Sequence, residues 1–411
     1  MPTPAADLIA SLCGRGWDAP VQVDLVRARA LLDAGPTTIF AAAAAGDTAA
    51  LRRFVEADPD SVSRPGGPRD WAPLLYAAAS HAHQLGRSEA VTEGLKLLLQ
   101  AGADPDTHYS ADGADNGFSA LYLTIAVSGH RSRTDALLAA GASPSDGNSS
   151  YHAVETFDLD LLQALGTAGL APDDVSYTIK HAIDMGWEDA VLYLLSLGAD
   201  PNATHPLAGE TTLHWAIKRN ASDAVLDALL AAGADPSVCT EATPEADFGP
   251  NRWTPLDLAV RLGHRSAVAK MVAAGMVLPE VDGVDAFIVA VARGDEGAAR
   301  LAMAGGVSIP ADLTGLHRKW PAFWAQHGRR AAVELACTLG LPLDGTAWMG
   351  LTALHWAALR GDASMVDGLL SAGAPQTDLG GYFQTPHHTA ATCQWYASGD
   401  YDAVMALLSA G

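Results

Sequence analysis

The sequence is short of charge, and of lysine in particular. Only 18% of its 411 residues are charged, against about a quarter in an average globular protein, and 5 of the 25 basic side chains are lysines. Asp and Glu number 47, so the formal net charge is −22. A nucleic-acid binder carries a basic footprint, and none is expected here. An acidic surface also repels anionic membranes and attracts basic partners. The 49% hydrophobic content excludes a disordered chain. No run of about 18 apolar residues occurs, so no membrane span is expected. The four cysteines, Cys13, Cys239, Cys337 and Cys393, are scattered, with neither a disulfide framework nor a zinc spacing, which suits a reducing compartment. The first twenty residues include Asp7 and Arg15 and lack the basic-then-apolar order of a secretory signal. The expected location is cytoplasmic. Scarce lysine beside abundant alanine and glycine fits a GC-rich bacterial genome. No Walker loop, Gly-x-Ser-x-Gly, His-Glu-x-x-His or dinucleotide fingerprint is present, and no catalytic residue, cofactor or metal is assigned. His81 and His83 form a lone His-x-His, a weak metal signal.

What the chain does have is a repeat. Two large apolar residues, two further residues and a glycine recur at 98–102, 137–141, 194–198, 229–233, 271–275, 369–373 and 407–411. From Gly102 to Gly411 the landmark glycines are spaced by about 34 residues on average. Gly102, Gly198 and Gly233 are each followed by Ala-Asp-Pro. Upstream stand Thr211-Thr212-Leu213-His214, Thr254-Pro255-Leu256-Asp257, Thr352-Ala353-Leu354-His355 and Thr385-Pro386-His387-His388. A small residue precedes the glycine by 16 positions in the pairs Ala182 and Gly198, Ala259 and Gly275, and Ala357 and Gly373, and by 17 in Ala216 and Gly233.

This pattern resembles the ankyrin repeat, whose period is ~33 residues. The resemblance covers roughly residues 37 to 411, in about eleven repeats, several of them degenerate. It implies an all-α ankyrin-repeat solenoid of helix-turn-helix units with short β-turn fingers, stabilised by stacking because no single repeat buries its own apolar face. Residues 1–36 are expected to form N-terminal capping helices. The chain stops at Gly411, where a second helix closes, so the expectation is either that the last repeat caps the other end or that the sequence ends short of the natural terminus. The array is irregular near 149–182, where the links between repeats are too short for full fingers, and near 306–340. Longer links insert acidic residues around Asp112 and Asp115 and around Glu241, Glu245 and Asp247. Within repeats, extra residues stand at 81–88 and about 393–399.

In ankyrin repeats generally, partners meet the finger tips and the two positions after the Ala-Ala pair. Carried over residue by residue, those positions make Trp71, Phe118 and Trp253 finger-tip anchors. They also make Lys218, Arg219, Arg261, Arg293 and Arg360 a cationic line along the groove, in a chain that is otherwise acidic. Arg and Trp are enriched in binding hot spots, and Arg pairs bidentately with carboxylate or phosphate. The line therefore predicts an acidic or phosphorylated segment as ligand, while the overall acidity predicts a partner with a basic surface. In the degenerate ninth repeat His317, Trp320, Trp324 and His327 crowd together, either lining a pocket or refilling core volume. His214, His355 and His388 occupy the motif's own histidine position and are expected to brace the next repeat.

The expected function is a non-catalytic, monomeric protein-interaction scaffold of the inhibitor, immunity or regulatory-adaptor kind, with no nucleic acid and no membrane as partner. The alternative is an enzyme or small-molecule binder with a pocket in the irregular middle or in repeat nine. Glu155, Asp184, His181 and His327 are its acid and base groups if the fold brings them together.

Overall fold

The computed structural model describes residues 12–13, 25–33, 35–110, 117–204, 209–240, 252–309, 311–313, 315–380, 383–393 and 399–410. The insertions at Asp112 and Asp115 and at Glu241 to Asp247 lie outside the described residues, as do most of the expected N-terminal cap and most of 393–399. The chain divides into two compact units, Met1–Asp200 and Pro201–Gly411.

In the first unit the described residues form helix Leu25–Asp33 and then five helix pairs: Ile39–Ala45 with Thr48–Ala57, Pro73–Ala78 with Ser88–Gln100, Ala120–Tyr122 continued by a π-turn at Leu123–Val127 with Arg131–Ala139, Ser149–Val154 with Leu159–Ala168, and Pro172–Asp184 with Glu188–Ser196. In the second they form six: Thr212–Lys218 with Asp223–Ala231, Pro255–Arg261 with Arg265–Ala273, Gly283–Ala292 with Glu296–Ala304, Trp320–Gln326 with Arg330–Leu339, Ala353–Leu359 with Ala363–Ser371, and Pro386–Thr392 with Tyr401–Ala410. One finger is a small antiparallel hairpin that pairs His108 with Ser119 and Tyr109 with Phe118. After Gly169 only two residues precede helix Pro172–Asp184, and this thirteen-residue first helix stands where a finger would otherwise run.

The repeat motif explains the local structure. Thr254 caps its helix by accepting from the Asp257 amide, and Pro255 occupies the first turn, where its missing N–H costs nothing. Motif histidines tie one repeat to the next. His214 shares a hydrogen bond between Nδ1 and the Thr211 hydroxyl at 2.9 Å, and its Nε2 donates to the Trp253 carbonyl at 3.0 Å. His355 does the same with Thr352 at 2.8 Å and with the Gln384 carbonyl at 3.1 Å. The leading leucine of five of these apolar pairs (Leu98, Leu137, Leu194, Leu229 and Leu369) is fully buried, worth roughly 1.5–3 kcal/mol apiece. The turn inside each pair is tight as well. Gly263 has φ +68, and a Cβ there would collide with the Ala292 carbonyl of the next repeat. The residues before the repeats also dock on the stack. The His81 amide donates to the Leu12 carbonyl at 2.8 Å, and Arg69 donates to the Cys13 carbonyl at 2.5 Å. Burial drives the Cys13 thiol up to about 12, so it is an inert packing group.

Candidate partner-binding surface

In the first unit aromatic rings form one connected ladder. Phe40 meets Tyr76 at 5.6 Å between centroids, and Tyr76 meets Trp71 at 5.4 Å. Trp71 meets Tyr109 at 4.4 Å, Tyr109 meets Phe118 at 5.4 Å, and Phe118 meets Tyr122 at 4.8 Å. Tyr122 contacts His152 at 5.2 Å, and Tyr151 also contacts His152. Tyr151 then stacks on His181 at 3.7 Å and on Tyr177 at 5.5 Å. The contacts follow from register. Tyr122 and Tyr151 stand where other repeats carry the motif histidine, so they recur on the same face of successive first helices. This substitution was visible in the sequence and was not used there. Trp71 and Tyr122 are buried, Tyr109, Phe118 and Tyr151 are partly exposed, and Tyr177 is 48% exposed.

The ladder has a cleft near one end and a carboxylate near the other. The cleft, about 510 Å³, is lined by Arg69, Trp71, Leu75, Asp104, His108 and Tyr109 among others, with the Arg69 guanidinium 4.6 Å above the Trp71 ring. At the far end Glu155 bridges two imidazoles, His152 Nδ1 at 2.8 Å and His181 Nε2 at 3.3 Å. Burial raises the Glu155 pKa, but the hydrogen bonds from His152 and His181 outweigh it and hold the carboxyl at about 2. At neutral pH Glu155 is a fixed negative charge, 41% exposed, whereas a general acid or base is tuned near the operating pH. Burial, together with the charges of Tyr177, Asp184 and Glu155, raises the Tyr151 hydroxyl, which locates those groups around the same end. Residues 149–200 contain nine carboxylates and one basic residue, Lys180, and Lys180 is buried.

The finger-tip anchors therefore sit differently from expectation. Trp71 and Trp253 are 6% and 8% exposed, because each precedes a helix start and is clamped there by the stack. Trp253 bonds to Thr240 through its carbonyl at 2.9 Å and its amide at 3.0 Å, and lies 5.9 Å from the Trp320 ring. Only Phe118 keeps partial exposure, as a rung of the ladder.

The cationic line is also corrected. Lys218 is 3% exposed and bonds both oxygens of buried Glu210 at 3.0 and 3.1 Å. Arg261 is buried between Asp285 at 2.7 Å and Asp257 at 3.4 Å, with its guanidinium over Trp253. Arg219 lies between the rings of Trp215 and Trp348, at 5.5 and 5.0 Å. Arg360 donates to the Gln326 carbonyl at 3.1 Å. Arg293 is exposed. These residues are not one open row, because several point into the unit and bind partners there.

The ninth-repeat cluster divides in the same way. Trp320 and Trp324 are 1% and 0% exposed, and Trp324 Nε1 reaches the Arg261 carbonyl at 3.5 Å, so both refill core volume. His317 bonds Asp285 at 3.3 Å, and this hydrogen bond, opposed by burial and helped by Arg261, holds Asp285 at about 2. His327 is buried. Of the acid and base groups named from sequence, Glu155 and His181 touch each other, and Asp184 lies near them. His327 belongs to the other unit. No group of three or more His, Cys, Asp or Glu able to hold a metal occurs among the described residues, and no described helix is long and apolar enough to cross a membrane.

Stacked helix pairs, a histidine bridge to the next repeat and a finger hairpin define a helical repeat protein. Comparison with known proteins names the repeat. Residues 179–282 match a family model described as ankyrin repeats, in three copies, and residues 349–379 match the single ankyrin repeat. The chain thus contains ankyrin repeats in an all-α stack. A stretch of 104 residues is 33% identical to ARF GTPase-activating protein GIT1 of Homo sapiens, and equally to that of Mus musculus. That match covers 25% of this chain but 12% of the length of those relatives. Among solved structures, the ankyrin repeat domain of Bcl-3, described as a unique member of the IkappaB protein family, is 24% identical. It covers 58% of this chain and 99% of the other, with a TM-score of 0.43. The human ASB11 ankyrin repeat domain is 21% identical over 56% of this chain and 96% of the other, with a TM-score of 0.25.

Proposed function

We propose that the chain is a non-catalytic, cytoplasmic interaction scaffold of eleven ankyrin repeats, and that its first unit binds an extended basic segment of a protein partner. The observation that carries this reading is the aromatic ladder ending at Glu155, a carboxylate kept ionised by two imidazoles. Arginine and lysine side chains are attracted both to aromatic faces and to a fixed, part-exposed carboxylate. The acidity of residues 149–200 accelerates encounter with such a segment. A scaffold of the inhibitor or adaptor kind uses this chemistry. The four cysteines are free thiols, which fits a reducing compartment.

The test is fluorescence anisotropy of a labelled peptide of alternating arginine and alanine, titrated with the full chain at low and physiological salt. Wild type is expected to bind with strong salt dependence. Glu155→Gln combined with Tyr177→Ala is expected to weaken binding about tenfold, equivalent to about 1.4 kcal/mol. An affinity unchanged in that double variant contradicts the reading.

A further inference from the structure

In the second unit Arg329, His327 and His264 hold buried nitrogens without a hydrogen-bond partner. His327, at the end of helix Trp320–Gln326, is 5% exposed, and neither ring nitrogen has a hydrogen-bond partner. Two residues on, Arg329 has both Nε and Nη2 buried without a partner. His264, in the corresponding turn two repeats earlier, has its Nε2 unpartnered. Burial, and then the charges of Arg219, Lys218, Arg329 and Arg360, push the His327 pKa well down, so four cations surround one neutral imidazole. Arg329 lowers His264 likewise, after burial, which puts the guanidinium near both rings. The nearby Lys218 is answered by Glu210. No described carboxylate bonds to Arg329.

Such an arrangement is costly as it stands. A buried polar group without a partner loses its hydration with no return, and a buried charge loses far more unless it is paired. Orphaned buried groups in a native protein point to a bound water or ion.

We propose that the inner face of the second unit holds a phosphate-class oxyanion between the Arg329 guanidinium and the His327 imidazole. Nε and Nη2 are the two N–H groups on one edge of the guanidinium fork, the edge with which arginine grips two oxygens of one anion. A planar carboxylate spends both oxygens on that fork. A tetrahedral phosphate keeps further oxygens for the His327 N–H. Arg219, Arg329 and Arg360 are all partly buried. The site lies in a different unit from the peptide-binding face and stands or falls separately from it.

The experiment is calorimetric titration of the full chain, at low salt, with inorganic phosphate, phenyl phosphate and acetate. Phosphate is expected to saturate at one per chain and to raise the Tm. Arg329→Met is expected to weaken it at least about tenfold and to abolish the Tm rise. Arg330→Met, altering an adjacent, exposed arginine paired with Asp362 at 2.8 Å, is expected to bind as wild type does. Phosphate and phenyl phosphate binding alike identify a phosphate ester as the source, and phosphate alone identifies the free ion. The proposal is overturned if phosphate gives no saturable heat, if acetate binds as tightly, or if Arg329→Met retains wild-type affinity. Should that variant not fold, Arg329→Lys keeps one charge but loses the fork, and undiminished affinity there overturns the proposal equally.

Discussion

Residues 149–200 of the first unit and the second unit dispose of their charge differently. In Met1–Asp200 the carboxylates of residues 149–200 stay largely near the surface beside an aromatic ladder, and the lone basic residue there, Lys180, is buried. In Pro201–Gly411 three cations turn inward, Lys218 against Glu210, Arg261 between Asp257 and Asp285, and Arg329 with its Nε and Nη2 buried and unpartnered, while Arg265, Arg293, Arg300 and Arg330 stay exposed. A net charge of −22 conceals that contrast. Charge committed to a buried partner holds the stack together and is lost to recognition, whereas an exposed carboxylate held ionised remains available to a ligand.

This contrast can be broken by mutation. The largest effect is expected from Trp253→Ala with Arg261→Ala. Were the two residues the finger-tip anchor and groove cation expected from sequence, the pair would leave the Tm unchanged. The structure instead predicts a loss of at least about 3–5 kcal/mol, because a buried tryptophan is removed from its stack and Asp285 loses its guanidinium. Denaturant unfolding measures it, and an unchanged midpoint contradicts the burial of these residues. Next comes Glu210→Gln, which strands a buried ammonium and should cost about 3–5 kcal/mol. Glu155→Gln in the other unit removes a half-exposed carboxylate and should cost well under half as much.

A smaller effect concerns pH. Burial, with the Arg329 charge, lowers His264 from 6.5 to about 4. Below 6.5 the unfolded chain takes up a proton that the folded chain refuses, so stability present above 6.5 is lost progressively as pH falls toward 4. His264→Asn should flatten that decline in thermal melts across the interval. A slope identical to wild type rules out His264 as its source. The smallest effect is Arg293→Ala. This exposed side chain should change stability by no more than about 0.5 kcal/mol, and a larger loss gives Arg293 a structural role like that of Arg261.

The fold was legible because its signals are local. A threonine cap, a histidine three residues later and a leucine pair closed by glycine are set within one repeat, and His214 reaches the Trp253 carbonyl as the motif implies. The surface was less legible, because exposure is decided by partners remote in sequence. Register places Lys218, Arg261 and Arg360 on inner helix ends. It does not reveal that Glu210 folds back onto Lys218, or that Asp285 crosses from the next repeat to Arg261. The aromatic ladder left a trace, the tyrosines at 122 and 151 in the motif histidine's place. Tyr177 joins it because a missing finger brings helix Pro172–Asp184 forward. Arg329 left no trace, since only burial distinguishes it from the exposed Arg330.

Hydrogen exchange of the full chain, with and without the arginine–alanine peptide, tests the central contrast most directly. Protection on binding is predicted in the first unit, at residues 149–187 and around the hairpin of Tyr109 and Phe118. Protection confined to residues 209–360 would contradict the account and return recognition to the cations of the second unit.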